Sequence, residues 1–257
     1  MLWACQWLRM FHNIGEIGTR LICIADCHQN HANNGFELAL AFVEREIERG
    51  TPFVLVLLGD IFDMLFGGVP YSIAPHKAHI ARLENIAVQR KVLYFEGNHD
   101  FNLAPIFHHV QIFARNVQPV FATIGGVPVS FAHGDIAMPF MYNLYTAIVR
   151  NPHLLRFLGA IDVCLGGRIF AIVRSVLCKN SLQSYVGYKE QIFSHKRQFY
   201  VPLPCQYAIE GHFHLGEIAA MDENARFYIA LYAFSCISHA FIVESFQHIV
   251  SIYCPII

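Results

Sequence analysis

Five short apolar runs in this chain stop abruptly at residues able to bind a cation, and no other feature constrains the fold as tightly. The runs are 21–25, 53–58, 92–95, 127–132 and 206–209. They end in Asp26-Cys27-His28, in Gly59-Asp60 with Asp63 close behind, in Gly97-Asn98-His99-Asp100, in His133-Gly134-Asp135 and in Gly211-His212-Phe213-His214. Runs of this length, bounded by Gly and polar residues, predict buried β-strands. Between the first two lies 36–49, FELALAFVEREIER, whose apolar spacing and late charges predict an amphipathic helix; 75–90 reads as another. Strands alternating with helices predict an α/β fold around a buried sheet. Beyond residue 215 the pattern turns to strands alone, at 217–220, 226–232, 240–244 and 248–253, with Asp222-Glu223-Asn224 as a turn.

Composition narrows the class. Of 257 residues, 55% are hydrophobic and 14% charged, which excludes a disordered chain and allows one sizeable domain over residues 1–257. The 18 basic and 19 acidic side chains nearly cancel, so a nucleic-acid binder held by a global basic field is excluded and no nucleic acid is expected as a partner. A mean hydropathy of +0.39 demands a check for membrane spans. The longest uncharged apolar run, 227–243, is broken by Ser235, Cys236, Ser238 and His239, and its Phe, Tyr, Ile and Val content predicts two buried strands joined by a turn. Residues 1–10 carry Arg9 and no basic leader, which argues against a secretory signal. The eight cysteines form no CxxC pair; most read as small buried hydrophobes in a reducing cytoplasm.

Residues 138–202 depart from the alternation. The segment is helical in pattern and inserted between two β runs, and it holds eight basic against two acidic residues in a chain of net charge −1. Apolar blocks such as Leu154-Leu155, Phe157-Leu158 and 169–173 lie among these cations. Helices that are apolar on most sides with sparse Arg are either buried or lie at a membrane surface, and an ordinary helical subdomain fits the pattern equally well.

In an open α/β sheet, ligands bind beyond the carboxyl ends of the strands. The five segments would therefore deliver Asp26, His28, Asp60, Asn98, His133, His212 and His214 to one edge. In an extended segment residues i and i+2 point the same way, so Asp26 with His28, and His212 with His214, can each share an ion. Imidazole, carboxylate and amide oxygen without thiolate suit Mn, Fe or Zn. Seven donors exceed one tetrahedral site and fit two divalent metal ions, roughly 3.5–4 Å apart, if Asp60 bridges. Asp63 and Asp135 are expected to hold hydrogen bonds behind the ligands, and Cys27 to face away. Gly59, Gly97 and Gly211 are expected to allow tight turns. His76, His79, His108, His109, His153 and His195 lack ligand spacing and read as surface or packing residues.

In order, D-x-H, GD-x-x-D, GNHD, HGD and GHxH resemble the motif set of the calcineurin-like metallophosphoesterases, a likeness running from about Leu21 to the C-terminal strands. It implies a four-layer αββα sandwich with a dimetal site at the strand ends. By motif, one ion would be held by Asp26, His28, Asp60 and His214 and the other by Asp60, Asn98, His133 and His212. His99 would contact the phosphate and protonate the leaving oxygen, with Asp100 orienting its ring.

Within the superfamily the sequence is most similar to the UDP-2,3-diacylglucosamine diphosphatases of lipid A synthesis, on the helical insertion, on Phe101 after GNHD and on the short all-β end. That likeness implies a helical cap whose apolar face holds acyl chains and whose cations, here Arg150, Arg156 and Lys179, hold a phosphate beside Asn98 and His99. It implies hydrolysis of the lipid-linked nucleotide to UMP and 2,3-diacylglucosamine 1-phosphate, with Mn as the metal, at the cytoplasmic face of the inner membrane, with no protein partner. The best-known branch of these enzymes carries Arg where this chain has His99. The same motifs also serve soluble phosphatases or phosphodiesterases acting on nucleotides or phosphoproteins. A scaffold with a disabled site is a further alternative, which the complete ligand set opposes.

Overall fold

In a computed structural model, which describes residues 12–177, 185–237, 240–246 and 249–253, all five apolar runs form strands. The first elements are β1 (His12–Glu16), β2 (Arg20–Ile24), α1 (Gly35–Glu48), β3 (Val54–Leu57), β4 (Leu65–Phe66), α2 (Pro70–Ile73) and α3 (Lys77–Gln89). Then come β5 (Val92–Phe95), β6 (Asp100–Phe101), β7 (Gln111–Phe113), β8 (Val120–Ile124) and β9 (Val127–Ala132). Four helices follow, α4 (Phe140–Val149), α5 (Pro152–Cys164), α6 (Arg168–Leu177) and α7 (Lys189–Tyr200). The last elements are β10 (Tyr207–Glu210), β11 (Glu217–Ala220), β12 (Phe227–Ala230), α8 (Phe234–Ile237), β13 (Phe241–Phe246) and β14 (Ile249–Tyr253).

Two mixed sheets of six strands result, in the orders β14-β13-β2-β3-β5-β7 and β1-β8-β9-β10-β12-β11. Neighbours β2, β3, β5 and β7 run parallel, as do β9, β10 and β12, so the five motif-bearing strands point their carboxyl ends the same way within each sheet. The reason β2 and β3 read as unbroken apolar runs is that both faces are covered. Leu21, Cys23, Val54 and Val56 face the second sheet, where they meet Val129, Phe131 and Ile209. Ile22, Ile24, Leu55 and Leu57 face outward onto α1 and α3. Phe36, Ala39, Leu40 and Val43, at i, i+3, i+4 and i+7 of α1, make the stripe that covers them. On the far side Phe193 and Tyr200 of α7 close over Ala208, Tyr228 and Ala230. The order is helix, sheet, sheet, helix, and each fully buried aliphatic or aromatic side chain contributes about 1.5–3 kcal/mol.

Two expectations change. The run 227–243 is not a pair of joined strands: β12 and β13 belong to different sheets, and the short helix α8 lies between them. Helix α8 lies where the chain passes from one sheet to the other, and its Phe234 is fully buried in the core under α1. Residues 238–239 of that run, residues 1–11, and Cys5, Cys178 and Cys254 lie outside the described residues. The segment 138–202 also divides. Among its described residues α4, α5 and α6 stand over the strand ends, whereas α7 is the outer layer of the second sheet. Among the described residues no helix is long and apolar enough to cross a membrane.

The α5–α6 corner is built locally. Asn151 accepts from the amides of His153 and Leu154 ahead of Pro152 and so caps α5. At its other end Gly166 and Gly167 take positive φ, and the buried Asp162 accepts from Ile169 N at 2.8 Å and Phe170 N at 3.3 Å, capping α6. Asp162→Ala is expected to cost about 1 kcal/mol in urea unfolding and to speed amide exchange at Ile169 and Phe170, leaving β2 and β3 protected. Unchanged exchange at those two amides would contradict the capping role.

Candidate metal centre

The pairing of β2 with β3 continues past both strands: Asp26 N donates to Gly59 O at 3.1 Å, His28 N to Asp60 O at 2.9 Å and Gln29 N to Ile61 O at 2.9 Å. Within this stretch Asp26, His28 and Asp60 have φ of 53°, 46° and 50°, and after β10 His212 and His214 have 64° and 55°. These residues are therefore not extended, as the i, i+2 argument assumed. A left-handed turn at each ligand throws its side chain to one side, while Cys27 between two of them is buried in the core under α1. Such conformations cost about 1–3 kcal/mol each in a residue with a Cβ and persist where the surroundings enforce them.

The donors converge in overlapping groups. Asp26, His28 and His214 offer ligand atoms within 4.8 Å of one another, as do His28, Asp60 and His99, and Asp60, His133 and His212. His133 Nε2 is 3.1 Å from Asn98 Oδ1, 3.1 Å from His212 Nδ1 and 3.5 Å from Asp60 Oδ2. On the other side His214 Nε2 is 3.3 Å from Asp26 Oδ1. All seven expected ligands are thus brought together.

Proton accounting shows what the cluster needs. His133 Nδ1 lies 2.8 Å from Leu58 O and donates to it, so Nε2 of the neutral ring is a bare lone pair. That lone pair faces an amide oxygen, a carboxylate oxygen and a second imidazole nitrogen. Both nitrogens of the buried His28 lack a hydrogen-bond partner, the nearest carboxylate oxygen, Asp63 Oδ1, being 3.8 Å away. Imidazole nitrogens, carboxylates and an amide oxygen converging in this way form a donor set that fits divalent ions. The field agrees. Asp26, Asp60, Asp63, Asp100 and Asp135 are all buried. Burial pulls the His99 imidazole down, yet the charges of Asp60 and Asp63 outweigh it and push the ring up to about 10. Bound divalent ions would neutralise this same negative field.

The family model of the calcineurin-like phosphoesterases matches residues 19–161, more than half of the chain. The chain is a calcineurin-like phosphoesterase. The family comprises dimetal-dependent hydrolases of phosphoesters. Among solved structures the chain is similar to GAP50, the anchor in the inner membrane complex of Plasmodium, at 10% identity and a TM-score of 0.51, covering 92% of this chain and 84% of that one. An archaeal phosphodiesterase matches at 12% identity and a TM-score of 0.43 over 92% and 99% of the two chains. Vacuolar protein sorting 29 from Cryptosporidium parvum matches at 13% and 0.41 over 92% and 96%. At such identities the likeness is one of fold alone. Among curated proteins none matches the chain in sequence.

For a calcineurin-like phosphoesterase the groups behind the ligands matter as much as the ligands, and here one expectation fails. Asp100 does not touch the His99 ring. It accepts from the amides of Asp60, Ile61, Phe62 and Gly97 and from the Tyr94 hydroxyl, at 2.5–3.2 Å. Neighbouring residues of an extended segment face opposite ways, so Asp100 at the start of β6 points away from His99. Burial, followed by the charge of Asp60, raises its carboxyl to about 6. The ring of His99 is held by Asp63 instead, with Nδ1 2.8 Å from the Asp63 carbonyl and 3.3 Å from Oδ1, which leaves Nε2 free.

Of the insertion's cations, Arg150 reaches the centre. Its Nη2 donates to Gly97 O at 2.7 Å and to Asp135 Oδ2 at 3.3 Å, its guanidinium stands 5.1 Å over Phe101, and the buried Nη1 has no hydrogen-bond partner. Arg156 is exposed, its stem against Gly68, and Lys179 lies outside the described residues. Two contributors escaped the motif reading: Arg115, whose Nε donates to Asp135 Oδ2 at 2.8 Å, and Gln118, whose side chain accepts from His133 N at 2.7 Å. Neither stands in a motif, and no local signal marks them.

The motif glycines serve close approach rather than turning alone. A Cβ at Gly97 would lie 2.2 Å from Asp60 Oδ1, one at Gly59 2.4 Å from His133 Nδ1, and one at Gly211 2.5 Å from Asp26 Oδ2. Gly97→Ala is expected to weaken divalent-ion binding about 10–100-fold in calorimetric titration, by displacing Asp60. Parent-like affinity would contradict the placement of Asp60 between the two groups.

Proposed function

We propose that this chain hydrolyses the pyrophosphate of a lipid-linked nucleotide of the UDP-2,3-diacylglucosamine type, releasing UMP and the lipid monophosphate. One observation carries the reading. An apolar cavity of about 440 Å³ opens between α4, α5, α6 and the loops beneath, and Asn98 belongs both to its wall and to the ligand set. Phe66, Phe101, Val149, Leu155, Phe170 and Val173 line it. A hydrocarbon chain gains about 0.8 kcal/mol for each CH₂ buried in such a space, whereas a water-soluble nucleotide has no use for it. Phe140, Met141, Phe157, Ile172 and Val176 expose further apolar surface on the same helices, among Arg156, Arg168 and Arg174. That composition suits a face resting on an anionic bilayer from which the substrate is drawn.

In this reading Asp26, His28, Asp60 and His214 hold one ion, and Asp60, Asn98, His133 and His212 the other; manganese suits the oxygen and imidazole donors. The pair of cations supplies polarisation of the phosphoryl oxygens and a water acidic enough to attack at neutral pH. The chain's own groups do the rest. Asn98 places the phosphoryl group at the cavity mouth. Arg150, whose Nη1 has no hydrogen-bond partner and lies 3.9 Å from Glu96 Oε2, receives a phosphate oxygen. The water oxygen would bond to the α-phosphorus as its proton passes to solvent, and the bond to the bridging oxygen would break with its electron pair leaving on the lipid phosphate. His99, its Nδ1 held by Asp63, presents Nε2–H to that departing oxygen.

With purified protein, manganese and detergent-dispersed lipid nucleotide, UMP release is expected. His99→Ala should lower turnover about 10²–10⁴-fold without changing metal content. Val173→Trp, which fills the cavity, should raise the KM for lipid nucleotide and leave a water-soluble phosphodiester untouched. Turnover of the soluble diester with none of the lipid nucleotide would instead favour a soluble phosphodiesterase.

A further inference from the structure

We infer that Lys196, on the outer helical layer, is a positioning residue for the ion held by Asn98, His133 and His212. The inference rests on the dimetal centre and not on the identity of the substrate. Lys196 is fully buried on α7, away from the cleft. Its Nζ donates to Gly134 O at 2.7 Å and pairs with Glu210 Oε2 at 2.7 Å, and it stands 5.3 Å over the ring of Phe213. All three partners adjoin ligands: Gly134 follows His133, while Glu210 and Phe213 flank Gly211-His212. One ammonium group thus joins the HGD turn to the GHxH turn from behind.

The two turns already lean on each other. Gly211 N donates to His133 O at 2.8 Å, and Gly134, at φ +127°, would bring a Cβ to 2.9 Å from His212 Cβ. Glu210 is equally buried and fully engaged, with Oε1 accepting from the Tyr200 hydroxyl at 2.5 Å and Oε2 from the Tyr228 hydroxyl at 2.8 Å. Around this network the layer is apolar, built from Phe193, Cys205, Ala208 and Ala230. A buried ion pair in such a place is poor value for stability alone, since well-packed apolar residues commonly replace one at no loss. What an apolar pair would not supply is a fixed distance between the Gly134 carbonyl and the end of β10. That distance sets the 3.1 Å approach of His133 Nε2 to His212 Nδ1.

The test is calorimetric titration of manganese into the metal-free full chain, with thermal unfolding in parallel. The parent is expected to bind two ions. Lys196→Met should weaken one of them about 10–100-fold and leave the other unchanged. Lys196→Met/Glu210→Gln removes the uncompensated carboxylate while keeping an oxygen acceptor for one tyrosine and an amide donor toward the other. It should regain parent-like thermal stability without regaining the affinity, a separation that a merely structural role would not produce, and it decides the matter if the single variant does not fold. Parent-like affinity for both ions in the double variant would overturn the inference, as would equal weakening of both. A parent chain that binds no ion would overturn the metal centre itself.

Discussion

Asp60 stands where two groups of candidate ligands meet, with His28 and His99 on one side and His133 and His212 on the other. One imidazole of the centre, His133, is bound through its Nδ1 to a backbone carbonyl, so its other nitrogen has nothing to offer but an electron pair. A carboxylate, an amide oxygen and the second imidazole then close on that electron pair. Burial lowers the His133 imidazole, but the charges of Asp60, Asp26 and Asp135 outweigh it and raise it, so this pocket attracts positive charge. With divalent ions the same geometry becomes a chelate, and its binding energy can offset the cost of holding five ligands in left-handed conformations.

The sandwich explains how that geometry is imposed. Parallel neighbours within each sheet bring the ends of β2, β3 and β5, and of β9 and β10, to one edge, where the loops lose the sheet's hydrogen bonds and need others. Asp100 supplies them on one side by gathering four amides around the Asp60 turn. Gln118 supplies them under His133, and Lys196 ties the remaining two turns from the outer layer. Above this edge α4, α5 and α6 leave an apolar space rather than sealing the cleft, and Arg150 at the end of α4 is the point where the helical roof is hydrogen-bonded to the GNHD loop. The candidate ligand set and the apolar cavity share one wall at Asn98.

Much of this was legible in the residues, for definable reasons. Strands β5 and β9 begin and end where the apolar pattern does, because largely buried runs with Gly or polar stops leave little freedom of register. The seven candidate ligands were legible because each directly follows such a strand. β1 was not, since HNIGE is largely exposed and pairs with β8 through its backbone. The left-handed turns at Asp26, His28 and Asp60 were hidden for a different reason: only Gly advertises positive φ, and here the strain falls on the ligands. Whether Asp63 or Asp100 steadies His99 depends on which way β6 faces, a tertiary fact that adjacency in sequence misrepresents. Arg115 and Lys196 act through contacts between residues 20 and 62 positions apart, beyond the reach of any motif.

The central claim is that Asp60 is shared by two cations, and anomalous diffraction from crystals grown with manganese tests it most directly. The account predicts two peaks roughly 3.5–4 Å apart, one against Asp26, His28 and His214, the other against Asn98, His133 and His212, with the Asp60 carboxylate between them. A single peak, or two peaks that do not share Asp60, would contradict it.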